Sequence, residues 1–173
     1  MTEKQESILQ AALKLFATEG YASTSTNKVA KVAGVSEGLI FRHFKNKEGL
    51  LNAIMGQSAA AAKAMMADVI MTNEPKEIIR KTLEIPFNIG KDEYEMWRLT
   101  YALKWQTNGY DSSGFDNVKL ILRDAFDKLG YDDPAAEAEL IFMFIDGAAT
   151  SFLLHEPTNK GDILSSIKSK YNL

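Results

Sequence analysis

The sequence of 173 residues contains no cysteine and only two histidines. The lack of cysteine excludes disulfides, thiolate-ligated zinc and cysteine nucleophiles, and it is consistent with a reducing compartment. The histidines, His43 and His155, are far apart, and no residue spacing around them suits a catalytic triad or a metal site. No glycine-rich phosphate loop is present either. We therefore expect no catalytic residue, no metal and no cofactor.

Long apolar runs are also missing. The longest uninterrupted one, Leu140–Ile145, is far shorter than the roughly 20 residues that span a bilayer. The N-terminal stretch MTEKQESILQ carries acidic residues where a signal peptide has a basic region followed by an apolar one. The sequence thus predicts a cytoplasmic protein with no membrane partner.

The chain lacks a positive net charge, with a formal charge of −3 at pH 7. The charge is unevenly distributed, because residues 1–55 hold seven Lys and Arg against five Asp and Glu, whereas the remainder is acidic. This asymmetry indicates the N-terminal third as the face for a polyanion. If charge were the only evidence, chance scatter over a solvated surface would be the simpler explanation.

Helical periodicity runs through nearly the whole chain, and no segment alternates as a strand does. The pattern predicts an all-α fold of about nine helices. The breaks fall at glycines and prolines such as Gly20, Gly34, Pro75, Gly130 and Pro134. Asn46 is placed to cap a long fourth helix that reaches about Met71, and Asn108–Gly114 reads as a loop.

The segment from Val29 to His43 has the pattern of a helix-turn-helix. Gly34 supplies the turn, Ala30 is small where the two helices must cross, and Ile40 is an apolar anchor for the second helix. In such a unit the N-terminal end of the second helix enters the major groove of DNA. That end would be formed by Ser36, Glu37, Gly38 and Leu39.

Two further features suit DNA. Gly38 costs helix stability, roughly 1 kcal/mol relative to Ala, so its presence needs a reason. Close approach of DNA is one reason, and a tight contact with the first helix is the alternative. Lys45 and Lys47 flank the start of the fourth helix, where free backbone N–H groups already favour a phosphate oxygen.

Residues 5–55 closely resemble the DNA-binding domain of the tetracycline-repressor (TetR) family. The matching stretches are ILQAALKLF, GYASTS, VAKVAGVS and GLIFRHFKNKEGLL, together with their spacing. The resemblance implies a dimeric, all-helical transcription factor, in most cases a repressor that a small molecule releases from operator DNA. It also implies two domains, with residues 1–50 binding DNA and residues 51–173 binding the effector and forming the dimer.

The resemblance assigns roles to individual positions as well. Thr26 would bind a phosphate, Phe41 and His43 occupy DNA-contact positions, and Lys47 is the phosphate-binding lysine. The sequence departs from the family at Phe41, where a Tyr hydroxyl commonly reaches a phosphate, and at Glu37, where several relatives have Lys or Gln. Glu37 can accept a hydrogen bond from a cytosine amine but is repelled by phosphates. Arg42 either offsets this repulsion by lying along the DNA backbone or is simply solvated.

The C-terminal two-thirds contains no motif, but it is rich in aromatic and sulfur-containing side chains. For any single residue, packing in the core is the simpler interpretation. Ligand pockets have the same lining, so an apolar or aromatic effector would suit it. The candidate ligand-binding residues are Met65, Met66, Phe87, Trp97, Tyr101 and Phe142.

The helix predicted from Ala135 to about Leu154 has two apolar stripes, one to close the core and one to pair with a second copy. In the resembled family this helix and the last one build the dimer interface. The candidate dimer residues are Ile141, Ile145, Ala149, Leu153, Ile163 and Ile167.

Three functions remain open at this point. The first is a repressor released by a ligand. The second is a DNA-binding regulator without a small ligand, whose aromatic residues are only core. The third is a helical ligand-binding or enzymatic protein that keeps a degenerate DNA-binding domain.

Overall fold

The computed structural model describes residues 1–104 and 115–173. Within these ranges the chain forms nine α-helices and no strand, as predicted. The helices are α1 (Glu3–Glu19), α2 (Thr26–Ala33), α3 (Glu37–Phe44), α4 (Lys47–Ile70), α5 (Pro75–Glu84), α6 (Tyr94–Lys104), α7 (Asp116–Lys128), α8 (Pro134–His155) and α9 (Lys160–Lys170). The predicted loop Asn108–Gly114 lies outside the described residues.

The helix boundaries follow local signals in the sequence. Thr2 and Gln5 form a reciprocal capping box at the start of α1, and Ser25 accepts a hydrogen bond from the Lys28 N–H at the start of α2. Asn46 accepts a bond from the Gly49 N–H, so the predicted cap of α4 is confirmed. Gly34 ends α2 with φ 67°, a left-handed conformation that glycine adopts without strain.

The chain divides into two compact units. The first comprises Met1–Ala61 and Asp92–Thr107, and the second comprises Ala62–Lys91 and Asn108–Leu173. The predicted boundary after residue 50 therefore falls inside the first unit. The first unit also includes α6, which the sequence predicted as part of the C-terminal domain.

The core of the first unit is built around α1. Its buried residues come from α1, α2, α3, the first half of α4 and α6, and include Ile8, Ala12, Phe16, Val29, Ile40, Leu50, Ile54, Leu99 and Leu103. A hydroxyl pair adds to this packing, since Ser58 Oγ on α4 lies 2.7 Å from Thr100 Oγ1 on α6. The helix-turn-helix thus shares one apolar core with α1, the first half of α4 and α6.

The core of the second unit is formed by α5, α7 and α8 with the end of α4, and it includes Val69, Ile79, Leu83, Leu122, Phe126 and Ile141. Within the described ranges, α8 is the one helix long and apolar enough to cross a membrane by length and composition. Its inner residues pack in this core, as a core helix of a soluble protein does. Its outer face also carries exposed apolar side chains.

Candidate nucleic-acid interface

The turn between α2 and α3 has the geometry that the sequence predicted. The Val35 N–H donates to the Ala30 carbonyl at 3.0 Å, which folds the chain back over the end of α2. Ala30 and Ile40 are buried in the first core, so the two helices are held by packing as well as by the turn. This arrangement presents the opposite side of α3 to solvent.

The exposed face of α3 consists of Gly38, Phe41 and Arg42, and the exposed Lys45 follows at the C-terminal end of the helix. A spacing of three and four residues places the first three on one side of the helix. Phe41 is 48% exposed, which is unusual for so large an apolar side chain. The face therefore offers an apolar ring and two cations, with no side chain at its N-terminal end.

No contact among the described residues explains why residue 38 is a glycine. A Cβ built on Gly38 meets no atom within 4 Å, and its backbone is not in the left-handed region. The alternative of a tight contact with the first helix is therefore wrong. The close approach of DNA to Gly38 stays a prediction.

Gly49, in contrast, is required by the fold. A Cβ at this position would lie 1.8 Å from the carbonyl oxygen of Phe44 at the end of α3. The close contact lets α4 begin almost directly after α3, through the left-handed residue Lys45. Sequence reasoning missed Gly49, although a glycine in the first turn of a predicted helix was a signal for it.

Glu37 does not project freely from the start of α3. Its Oε1 accepts a hydrogen bond from the Thr26 hydroxyl at 2.6 Å, and its Oε2 accepts one from the Asn27 amide at 3.2 Å. These bonds, that of Thr26 foremost, lower the pKa of the Glu37 carboxyl. Sequence reasoning assigned Thr26 and Glu37 separately to DNA and missed Asn27.

His43 is half-buried, and its Nδ1 lies 3.3 Å from the Nε2 of Gln5. The Oε1 of Gln5 already accepts from the Thr2 N–H, so its NH₂ group is the one that faces the ring. An NH₂ group can only donate, so Nδ1 accepts and the neutral ring carries its proton on Nε2. Gln5 thereby sets the tautomer of His43, a role that the sequence did not reveal.

The remaining candidates divide between surface and core. Ser36 is exposed at the N-cap of α3, where its side chain makes no capping bond. Leu39 is partly buried against the first core. Lys47 is half-buried, and its ammonium donates to the carbonyls of Tyr21 and Ala22.

The six candidate ligand-binding residues are split between the two units. Trp97 and Tyr101 belong to the first unit, and Met65, Met66, Phe87 and Phe142 belong to the second. Trp97 is buried, and its Nε1 is the one buried side-chain polar atom in the described residues that has no hydrogen-bond partner. Phe87 packs against Phe144 and Phe152.

Four candidate dimer residues lie inside the protomer. Ile141, Ile145, Ala149 and Leu153 are buried in the chain's own packing, and the first two belong to the core of the second unit. Ile163 and Ile167 on α9 are partly buried. The outer face of α8 carries different residues, namely Leu140, Met143 and Leu154, which are 50%, 69% and 68% exposed.

Residues 8–54 match the profile of the bacterial regulatory proteins of the tetR family. The chain is 33% identical over 96 residues to the HTH-type transcriptional regulator YerO of Bacillus subtilis (strain 168), covering 53% of this chain and 33% of that protein. It is 35% identical over 85 residues to the HTH-type transcriptional repressor AcnR of Corynebacterium glutamicum, covering 49% of this chain and 43% of that protein. The chain thus spans between a third and somewhat under half of the length of these curated relatives.

The fold is similar to solved structures over nearly the whole chain. The TetR family transcriptional regulator PfmR from Thermus thermophilus superposes with a TM-score of 0.75 at 19% identity, covering 98% of this chain and 95% of that one. AibR, solved in complex with isovaleryl coenzyme A and operator DNA, gives 0.73 at 18% identity, covering 97% of both chains. Residues 8–54 thus match the tetR-family profile, and the fold beyond them is similar to that of solved TetR family transcriptional regulators.

Proposed function

We propose that this protein is a transcriptional repressor that binds a pseudo-palindromic operator as a homodimer and is released from it by a small apolar or aromatic effector. The observation that carries the proposal is the exposed face of α3. Gly38, Phe41 and Arg42 stand on one side of a helix whose other side is fixed in the core, and Lys45 follows at the end of that helix. That face combines cations for phosphates with an apolar ring for the methyl group of thymine.

The contacts sort into two kinds. Arg42, Lys45 and Lys47 supply positive charge for phosphates, which fixes the position of the protein on the duplex. Ser36, Gly38, Leu39 and Phe41 lie at or near the end of α3 that enters the groove, with His43 able to donate through Nε2. The negative net charge is no obstacle, because charges beyond roughly 8–10 Å are screened at physiological salt.

The dimer would form through the outer face of α8. Leu140, Met143 and Leu154 follow helical spacing on that face, with Gly147 between them, and Leu120 on the neighbouring α7 is also exposed. Several exposed apolar side chains on one helix face are costly in water and are typical of an interface. A twofold dimer would place its two α3 helices in successive major grooves, about one helical turn of DNA apart.

The effector proposal is supported by two observations. The unpaired, buried Nε1 of Trp97 has a hydrogen to donate, and a buried donor without a partner costs free energy that a ligand acceptor would recover. A neighbour in fold, AibR, was solved with both isovaleryl coenzyme A and operator DNA. We therefore propose an effector with an apolar body and at least one acceptor group.

The test is a titration of the protein into labelled DNA from upstream of its own gene, at several salt concentrations, beside a scrambled duplex. Specific binding with a log–log salt slope of several units is expected. If the two duplexes bind alike, the operator is sought by selection from random DNA. Failure of that selection as well would leave the degenerate DNA-binding domain as the correct alternative.

The effector is tested on the same complex. Apolar carboxylates, their thioesters and aromatic acceptor compounds are added, and release of the DNA is measured. Trp97→Phe should bind the operator as the wild type does but need more effector for release. Equal release of both proteins would exclude Trp97 Nε1 as the donor, and no release by any compound would favour a regulator without a ligand.

A further inference from the structure

The hydroxyl of Thr26 can serve only one acceptor at a time. A hydroxyl has a single proton, and in this structure it is donated to Glu37 Oε1 at 2.6 Å. A phosphate oxygen at neutral pH can only accept. The bond to Glu37 and a bond to a DNA phosphate are therefore mutually exclusive for Thr26.

The Glu37 carboxylate also occupies the place that a phosphate would take. Thr26 and Asn27 are the first two residues of α2, where unpaired backbone N–H groups favour an anion. Both side chains bind the carboxylate, one on each oxygen. While the carboxylate stays there, it keeps both side chains occupied and repels any phosphate that approaches.

Glu37 is at the same time the first residue of α3, the end of the recognition helix that faces base edges. A carboxylate in the major groove accepts a hydrogen bond from the N4 amine of cytosine. Such an amine can replace the donors that Glu37 loses when it leaves Thr26 and Asn27. A base without an exposed amine at that position cannot do so.

We propose that Glu37 couples base recognition to phosphate binding, and this rests on the proposed DNA-binding function. On a sequence without the amine, Glu37 stays on Thr26, and both its charge and the occupied hydroxyl oppose binding. On a cognate sequence, Glu37 moves to the cytosine amine and frees the Thr26 hydroxyl for a phosphate. The same carboxylate thereby lowers the affinity for sequences without the amine and raises the affinity for a sequence that has it.

The experiment compares four proteins, namely the wild type, Glu37→Ala, Thr26→Val and the double variant. Their affinities for the operator and for a scrambled duplex are measured at constant salt. Thr26→Val keeps the branched shape and removes only the hydroxyl. Glu74→Ala serves as the matched control, because Glu74 is an exposed acid in the second unit and its loss changes the net charge equally.

Glu37→Ala should bind scrambled DNA about three- to tenfold more tightly, mainly because the freed Thr26 hydroxyl can donate a hydrogen bond to a phosphate. Most of this gain should disappear in the Thr26→Val background, where there is no hydroxyl to release. The ratio of operator to scrambled affinity should fall about tenfold in Glu37→Ala, the value of one base contact. Glu74→Ala should leave that ratio unchanged.

The proposal is overturned if Glu37→Ala gains the same affinity with and without the Thr26 hydroxyl, because Glu37 would then act by simple repulsion. The proposal is also overturned if Glu37→Ala has the same ratio of operator affinity to scrambled-DNA affinity as the wild type. Urea unfolding of the same four proteins without DNA tests the contact independently. The unfolding equilibrium constants should show a coupling between positions 26 and 37 of at least about threefold.

Failure of the proposed function looks different from failure of this inference. If the wild type discriminates no DNA even after selection, the repressor proposal fails, and the coupling role falls with it whatever the urea experiment shows. If the wild type binds its operator but positions 26 and 37 behave additively in both assays, only the coupling role is wrong.

Discussion

The ammonium of Lys47 lies 4.4 Å from the centre of the Tyr21 ring and 3.0 Å from the Tyr21 carbonyl oxygen. A second bond, of 3.3 Å, reaches the carbonyl of Ala22. The first turn of α4 is thereby tied to the segment between α1 and α2. Since an ammonium has three donors, the two carbonyls leave one for a phosphate. Lys47 thus joins a structural role to its proposed role on DNA.

Lys47→Ala should therefore change two quantities. The free energy of unfolding should fall by about 1 kcal/mol, because a cation–π contact and two hydrogen bonds at a partly exposed site are lost. Binding to operator and scrambled DNA should weaken alike, and the salt slope should fall by about one unit. Urea unfolding and salt-dependent titration measure these changes. A variant with unchanged slope would leave Lys47 as a structural residue only.

Gly38→Ala should stabilise the protein and damage its function. The new methyl group meets no atom of the chain, so the gain should be about 1 kcal/mol from helix propensity. If DNA approaches α3 at this point, operator affinity should fall. Gly56→Ala is the matched control, because Gly56 is an open helical glycine in α4. Gly56→Ala should stabilise the protein by a similar amount and leave its operator affinity unchanged. Equal operator affinities for the two variants would contradict the close approach of DNA to Gly38.

Met143→Glu should convert the proposed dimer into monomers. Met143 is 69% exposed on the outer face of α8, so the change should not disturb the core of the protomer. A pair of carboxylates facing each other across a twofold axis would repel and be desolvated. Sedimentation shows the oligomeric state and circular dichroism the helix content. Met71→Glu changes another exposed methionine, outside α8, and should remain dimeric.

The stability of the protein should depend on Tyr171 at alkaline pH. Burial and the neighbouring Glu137 carboxylate raise the pKa of Tyr171 to about 12, above its ordinary value of 10.0. Between these two values the folded chain keeps a proton that the unfolded chain loses, so this contribution to stability is complete below pH 10 and is lost as pH rises towards 12.

Tyr171→Phe removes this contribution and should make the dependence of stability on pH shallower in that window. Urea midpoints at a series of pH values measure it. The variant also loses the hydrogen bond that the hydroxyl donates to Glu137, so it should be less stable at neutral pH. Parallel curves for the two proteins between pH 10 and 12 would contradict the raised pKa.

The sequence predicted the all-α class and most helix ends because these depend on local signals. Gly20, Gly34 and Pro75 act through the backbone of a single residue, and Ser25 and Asn46 cap helices within three positions. The helix-turn-helix was predictable for the same reason. Its turn and anchor residues lie within twelve positions of one another.

The parts that sequence reasoning missed depend on side-chain contacts between different helices. The bond between Glu37 and Thr26 spans 11 positions and that between His43 and Gln5 spans 38. Neither pair shares a periodic pattern that a single sequence could reveal. Sequence reasoning likewise did not reveal that Ile141 and Ile145, which it assigned to the dimer interface, lie in the core of the second unit. α8 has two apolar stripes, and composition does not indicate which of them faces the core.

The packing of Leu99 and Leu103 in the first core has a consequence for biosynthesis. A ribosome completes α1 to α3 well before it reaches α6, and at roughly 5–20 residues per second the interval is several seconds. During that time the apolar surface that α6 will cover stays open on the nascent chain. A fragment that ends at residue 50 or 61 would leave this apolar surface permanently exposed. The helix-turn-helix should therefore be less stable as an isolated fragment than in the full chain.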